Sequence, residues 1–241
     1  FPMGDFQDLN ISLKRLKDTT HVLSENSFRD LLKFLENFQA VQRFSIKLAE
    51  KKFQILPKLY KEAEFPVFVK DRIKQVFNNK GEIKVSASKT LQQLSKQLSD
   101  LEHKIRREMD QIMRQSSDSG WSSKDTSVAI IDGQRAIPIE STHKRKIRGY
   151  VIGESSTGKT VYVVPEAFSI LNNEIRNTEM EIHSEKLRIL SELTDDIREY
   201  RNELMDCFKL FKDTDFHRAK AKLAMALEAI SPAIVDDLNM K

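Results

Sequence analysis

Gly153, Gly158, Lys159 and Thr160 stand at the spacing G-x-x-x-x-G-K-[ST] within GYVIGESSTGKTVYVVPE, residues 149 to 166. In a phosphate-binding loop that spacing lets backbone N–H groups cradle phosphates, with the Lys on the outer phosphates and the Thr hydroxyl on Mg²⁺. The chemistry requires a helix to leave the loop, so that its N-terminal dipole faces the anion. Here Thr160-Val161-Tyr162-Val163-Val164-Pro165 follows, a β-branched and aromatic run closed by proline that reads as a strand. A second coincidence, Val128-Ala129-Ile130-Ile131-Asp132, resembles the metal-holding strand of a nucleotidase. Its Asp132-Gly133 pair reads more simply as a hairpin turn into Gln134-Arg135-Ala136-Ile137-Pro138-Ile139. Both matches are therefore expected to be β-hairpins, and nucleotide chemistry built on Gly153 to Thr160 is the weakest of three functional readings.

Other catalytic constellations are missing from the sequence. The five histidines are scattered at 21, 103, 143, 183 and 217, and no H-E-x-x-H or Cys/His cluster is present for zinc. His103 and His183 sit beside apolar stripes and are expected in solvent. Glu179, Glu181, Glu185, Glu192, Asp195, Asp196, Glu199 and Glu203 read as a solvated helix face, with partners among Lys186, Arg188 and Arg201. Cys207 reads as a buried structural thiol. No catalytic residue, cofactor site or metal site is expected in this chain.

The strongest local signal is His143-Lys144-Arg145-Lys146-Ile147-Arg148, four permanent cations in six residues, with Lys159 in the next connection. In a β-meander the run and Lys159 fall together at one solvent end, where they would attract phosphate backbones without reading sequence. Lys144, Arg145, Lys146, Arg148 and Lys159 are therefore the candidate nucleic-acid-binding residues.

The elements that must position these residues follow from periodicity. The 241 residues carry 32% charged and 39% hydrophobic residues with seven Gly and six Pro, a balance that favours long solvated helices, and the net charge of +4 is mildly basic. No apolar run approaches the ~20 residues of a membrane span and no secretory segment opens the chain, so a cytoplasmic protein is expected. Beginning at Phe1, the chain is expected to be part of a longer protein. Residues 1 to 85 read as short to medium helices. Ser24 precedes the stripe Phe28, Leu31, Leu32, Leu35, Phe38 and Phe44; Pro57, Pro66 and the turn Asn78-Asn79-Lys80-Gly81 punctuate the rest. The dense phenylalanines, Phe53 among them, are expected to form a packed core.

Leu91, Leu94, Leu98, Leu101, Ile105 and Ile112 predict a helix over about 87 to 116, on the order of 45 Å long at 1.5 Å per residue. A Ser-rich loop from Ser116 to Ser123 leads to four strands near 127 to 131, 134 to 139, 147 to 152 and 160 to 164. A second long helix carries a stripe from Leu171 through Ile175, Ile182, Ile189, Leu193, Ile197, Tyr200 and Leu204 to Phe211. A last helix, from about Asp215 to Ala229, is expected to return Phe216, Leu223, Leu227 and Ile230 to the first helical body. The fold class expected is mainly α: a helical core domain with two long antiparallel, coiled-coil-like lever helices carrying a small antiparallel β clamp at the tip. Its parts are residues 1–85 plus 206–241 for the core, 86–116 and 166–205 for the levers, and 117–165 for the clamp.

At this level the chain resembles a known family. Ile137-Pro138, Gly149-Tyr150-Val151-Ile152, the turn Glu154-Ser155-Ser156-Thr157-Gly158-Lys159-Thr160, Val164-Pro165 and Leu171-Asn172-Asn173 are similar to the clamp of the bacterial MutS paralogue that bears a small MutS-related (Smr) nuclease domain at its C-terminus. "DTDFHRAKAKLAMAL" and "SASKTLQQLSKQL" resemble its core and lever segments. Glu154 stands where the family usually has Asp, and Val164 where it has Glu. The resemblance implies core, lever and clamp only, without the ATPase or nuclease domains, and without the mismatch-reading domain that the family lacks. It implies a homodimer closing on nucleic acid, driven by ATP and Mg²⁺ bound in the missing ATPase domain. Branched DNA in recombination and the ribosome with its rRNA are both associated with the family, so a DNA clamp and an interaction module for rRNA or a protein partner both stand as readings.

Overall fold

The computed structural model describes residues 1–49, 54–122 and 127–230; Phe53, Ser123 and residues 231–241 lie outside the described residues. The chain is mainly helical, about 65%, with one small antiparallel sheet. In order it forms α1 (Asn10–Arg15), α2 (Glu25–Ala49), α3 (Ile55–Glu62), α4 (Val67–Val76), α5 (Lys89–Asp118), β1 (Ala129–Ile131), β2 (Gln134–Glu140), β3 (Gly149–Glu154), β4 (Thr160–Pro165), α6 (Glu166–Arg198) and α7 (Arg201–Ala226). Two compact units result: residues 1–83 with 190–241, and residues 84–189.

The first unit is built on aromatic side chains. α2 starts where the Ser24 hydroxyl accepts the Ser27 N–H at 3.2 Å, an N-cap that satisfies one of the free donors of the first turn. It buries Phe28, Leu31, Phe34, Leu35, Phe38 and Val41. Phe34 meets Phe208 and Phe211 of α7 edge-on, with ring centroids 5.3 and 5.5 Å apart. Tyr60 is fully buried and donates to Thr214 at 3.1 Å, and burial holds its phenol up at about 12. Cys207 is buried and donates weakly to the Glu64 carbonyl at 3.5 Å, its thiol pushed up to about 12 mainly by desolvation. Its thiolate is thus disfavoured, as befits a structural residue.

Two helix boundaries differ from expectation. The expected unbroken stripe to Phe211 is interrupted at Glu199 and Tyr200, and no new helix begins at Asp215. The cause of the break is tertiary. Arg198 donates to the carbonyls of Leu16, Asp18, Thr19 and His21 at 2.6 to 3.1 Å and to Asp195 at 2.7 Å, while Tyr200 stacks on Phe68 at 5.3 Å. Between 209 and 218 no Gly or Pro intervenes, so α7 continues through Asp215. The helix does come back to the first unit, where Arg218 donates to the Met3 carbonyl at 3.0 Å, but its expected apolar face does not bury. Phe216, Leu223 and Leu227 are 62%, 61% and 69% exposed. Only the part of α7 up to Thr214 contributes to the buried core.

In the second unit, α5 and the start of α6 run antiparallel. Ser88 bonds Glu185 and Gln97 bonds Thr178 at 2.6 and 3.5 Å, and further along Ile105 and Met109 share a core with Phe168, Leu171 and Ile175. Contacts that descend in α6 as they ascend in α5 admit no other direction. Ser88 is also the N-cap of α5, accepting the Leu91 N–H at 2.9 Å, so one hydroxyl caps α5 and binds α6. Glu185 is therefore not part of a solvated face. It is 8% exposed, and the Arg188 guanidinium (2.8 Å), then the Ser88 hydroxyl, hold its carboxyl down at about 2. Asp196 likewise pairs outside its own helix, with Arg72 of α4 at 2.7 Å. The sign for Glu185 follows from linkage: a carboxylate whose folded pKa is depressed contributes stability above its unfolded value, near 4.5, and loses it as pH falls toward 2. We expect Ser88→Ala to raise the Glu185 pKa and to move the onset of acid destabilisation upward. A carboxyl-carbon NMR titration of Glu185 measures the first, and acid denaturation followed by circular dichroism the second.

Candidate nucleic-acid interface

The sheet has the order β1-β2-β4-β3, all neighbours antiparallel. Asp132 and Gly133 close the first hairpin with φ of 49° and 75°, the pair of positive values that a two-residue type I′ turn requires. β1 is short and stops opposite Ala136. Beyond it no described strand pairs with the outer edge of β2, and Pro138, which has no N–H to offer, sits there. Two residues on, the Glu140 N–H donates to the Trp121 carbonyl at 2.9 Å. The G-x-x-x-x-G-K-T segment is the β3–β4 hairpin. Gly158 has φ 68°, its N–H donates to Ser155 at 2.8 Å, and the Ser155 N–H donates to Thr160 at 2.8 Å.

One face of this sheet presents Ile137, Ile139, Val161 and Val163 to Ile105 and Met109 of α5 and to Phe168, Leu171 and Ile175 of α6. Its opposite face curls. A Cβ on Gly153 in β3 would lie 3.5 Å from the Ile131 side chain in β1, although these strands are the two edges. Tyr150 of β3 likewise donates to Gln134 of β2 across the intervening strand at 2.7 Å. The bulge at Ile152, between the pairs Val151↔Val163 and Gly153↔Tyr162, adds the local twist that such curling needs.

The strand order corrects the expected meander. β2 and β3 both flank β4 and run parallel to each other, so residues 141 to 148 must cross from the Glu140 end of the sheet to the Gly149 end. Both ends of the crossover are pinned: the Ser141 N–H donates to the Lys159 carbonyl and the Glu166 N–H to the Arg148 carbonyl, each at 2.9 Å. The third strand begins at Gly149, two residues later than expected, because Ile147 turns in to pack against the shared core. Lys144, Arg145, Lys146, Arg148 and Lys159 are all exposed, and none forms an ion pair among the described residues. They do not gather at one tip. Lys159 and Arg148 mark opposite ends of a six-residue strand, on the order of 20 Å apart at ~3.4 Å per residue.

Further cations that sequence reasoning passed over lie nearby. Arg106 and Arg135 line a hollow with Asp110, and Arg107 and Arg114 share an open face of α5 with Asp110 and Asp118. Both sets include the Asp110 carboxylate, which distinguishes them from the crossover. His103 and His183 are exposed, as expected. Among the described residues no cluster of three or more His, Cys, Asp or Glu could hold a metal ion, and no helix is long and apolar enough to cross a membrane.

Comparison with known proteins identifies the segment. Over 238 residues, 98% of the chain, it is 30% identical to a MutS2 protein of Bacillus subtilis. The chain belongs with the MutS2 family. It is 29% identical over its whole length to Endonuclease MutS2 of Lactobacillus johnsonii, and 27% identical over 95% of its length to Endonuclease MutS2 of Aquifex aeolicus. It spans about 30% of the length of each of these relatives. No protein-family model matches the chain.

Gly149 fixes where the crossover re-enters this MutS2-family sheet. A Cβ there would lie 2.2 Å from the Val164 carbonyl oxygen and 2.9 Å from Pro165 Cα, both backbone atoms. We expect Gly149→Ala to destabilise this unit by about 3 kcal/mol. Gly133→Ala, strained by its φ of 75° but with nothing within 4 Å, is expected to cost about 1 kcal/mol. Trp121, the only tryptophan, sits at the end of β2, so denaturant unfolding followed by its fluorescence measures both.

Proposed function

We propose that this chain is the core, lever and clamp segment of a MutS2-type protein, and that residues 117 to 165 hold nucleic acid by its backbone phosphates. The observation that carries this reading is the crossover: four exposed, unpaired cations around one apolar anchor, pinned at both ends, with a fifth at the adjoining turn. A track of ~20 Å matches the rise of about six base pairs at ~3.4 Å per pair. Charges in such a track attract any backbone, and contacts of Lys and Arg with phosphates position a duplex without reading its sequence. In this reading α5 and α6 act as a coiled-coil-like lever on the clamp. ATP and Mg²⁺ act in a part of the protein beyond the aligned stretch, and two copies close on the duplex, branched recombination intermediates included. This chain itself supplies no catalytic group.

The competing partners share the phosphate chemistry or an acidic surface, so competition separates them. On the 241-residue chain at low salt, replacing Lys144, Arg145, Lys146 and Arg148 together with Ala is expected to weaken duplex binding. The slope of log K against log[salt] should fall by about 3 to 4, because each phosphate contact contributes ~0.9. An unchanged slope removes the clamp reading. Preferential displacement of the duplex by structured rRNA identifies the ribosome as the target, and displacement by an acidic protein but not by bulk duplex favours a protein-interaction module. No ATP binding by this chain is expected in equilibrium dialysis.

A further inference from the structure

Where β2 ends and the β3–β4 turn begins, the surface of the sheet opens into a hollow of about 510 Å³ bordered by Ser122, Glu140, Ser141, Thr142, Gly158 and Lys159. Its walls are tied together by backbone. The Ser141 N–H donates to the Lys159 carbonyl, the Ser141 hydroxyl donates to the Gly158 carbonyl, and the Glu140 N–H donates to the Trp121 carbonyl. Ser122 is 7% exposed, and its hydroxyl has no hydrogen-bond partner. Buried hydroxyls are nearly always paired, so this unmet donor, closed to solvent beside the hollow, asks for an acceptor that a rotation of the Ser122 side chain toward the hollow would supply. Lys159 brings an unpaired positive charge to the same hollow. Ser141 has already committed its proton to Gly158.

We propose that this hollow seats one phosphate of the nucleic-acid backbone, with the Ser122 hydroxyl and the Lys159 ammonium as donors and the Thr142 hydroxyl at the rim. The inference rests on the nucleic-acid reading above and adds to it a fixed point. The crossover cations act through charge on an open surface, whereas a buried neutral donor is directional and insensitive to salt. A fixed phosphate would set the register of the backbone along the track. Glu140 is the one carboxylate on the rim, 3.7 Å from His143 Nδ1, and it opposes an anion. The hollow is therefore below its achievable affinity, which gives the proposal a gain-of-binding test.

The experiment is an amide NMR titration of the 241-residue chain with inorganic phosphate, repeated with a short duplex. Ser122, Thr142 and Lys159 are expected to shift along one saturation curve with phosphate. Lys159→Ala should weaken that binding about tenfold or more, Ser122→Ala several-fold, and Glu140→Gln should tighten it. Ser122→Thr, which keeps a hydroxyl, should retain binding. For the duplex, Lys159→Ala should lower the salt slope by about 1, and Ser122→Ala should weaken affinity at constant slope. Ser122→Ala is also expected to unfold at an equal or higher denaturant midpoint, because it removes an unsatisfied group, so its weaker binding cannot be a folding defect. Phosphate shifts confined to Lys144–Arg148, or Ser122→Ala and Glu140→Gln titrating like the parent, overturn the proposal. If phosphate binds and the duplex does not displace it, the seat is for an adventitious or free anion only, and the nucleic-acid assignment of the hollow is wrong. If the hollow variants leave duplex binding intact while the fourfold crossover variant abolishes it, the hollow fails and the clamp stands. Neither set changing duplex binding removes the clamp itself.

Discussion

The sheet depends on apolar side chains it does not own. Strands of three to seven residues make a module too small to bury a core by itself. Ile137, Ile139, Val161 and Val163 find their other half in Ile105 and Met109 from α5 and in Phe168, Leu171 and Ile175 from α6. Each such side chain, fully buried, contributes about 1.5–3 kcal/mol, and the helices gain as much as the strands, since neither amphipathic stripe is stable in water unaccompanied. The same cluster takes in Ile147, and through it the crossover. Four cations are thus held by one isoleucine, two backbone hydrogen bonds at the ends of the crossover and two more within it, from the Lys144 and Lys146 N–H groups to Ser141 and His143. Among the described residues no salt bridge is spent on positioning them.

Topology then distributes the charge. Placing β4 between β2 and β3 obliges the chain to travel the length of the sheet before β3 can start, and the basic residues occupy that journey. Had the strands paired in sequence order, the same residues would have formed a tight loop at one end, with strong mutual repulsion over a few ångströms. Lys144 to Arg148 cover at most ~14 Å at ~3.4 Å per residue, and with Lys159 at the other end of the sheet the five cations resemble a rail on the order of 20 Å long. Close packing at Gly149, where no side chain fits against the Val164 carbonyl, fixes the far end of that rail. At the near end lie the Ser155–Gly158 turn and the hollow beside it.

Much of this was legible from residue types, and the failures share one cause. Asp132-Gly133 announced its turn because the pair tolerates the positive φ values that the hairpin imposes. Ser24 and the apolar stripes announced their helices by local rules, and α5 lies within two residues of its expected bounds. Strand order was hidden, since alternation along a strand states which face is buried and says nothing of which neighbour it pairs with. The break at Tyr200 was hidden because no Gly or Pro marks it; Arg198 makes it by gathering carbonyls 177 to 182 residues away. Glu185 looked solvated because its partner Ser88 is 97 residues distant. Ser122 was one serine in a serine-rich loop until β2 brought Glu140 to Trp121. In each case the deciding contact is remote in sequence, and periodicity sees only what is local.

The fate of the G-x-x-x-x-G-K-T spacing follows from where its N–H groups go. A phosphate-binding loop leaves successive backbone donors unpaired and aims them at the anion, which it can do because a helix begins there. In this hairpin three donors bond within the turn: Gly158 to Ser155, Ser155 to the Thr160 carbonyl, and the Thr160 N–H to the Ser155 hydroxyl at 3.1 Å. Thr160 then pairs with Glu140 in the sheet instead of entering a helix. Lys159, one of the four residues that define the spacing, offers its exposed ammonium as a point charge without a cradle. A triphosphate needs the cradle. A single phosphate needs less: one flexible ammonium with a fixed donor near it, and Ser122, a buried hydroxyl without a partner among the described residues, borders the same hollow as Lys159. The same letters therefore make a hairpin in place of a phosphate cradle, because a strand follows them and three of the amides bond within the turn.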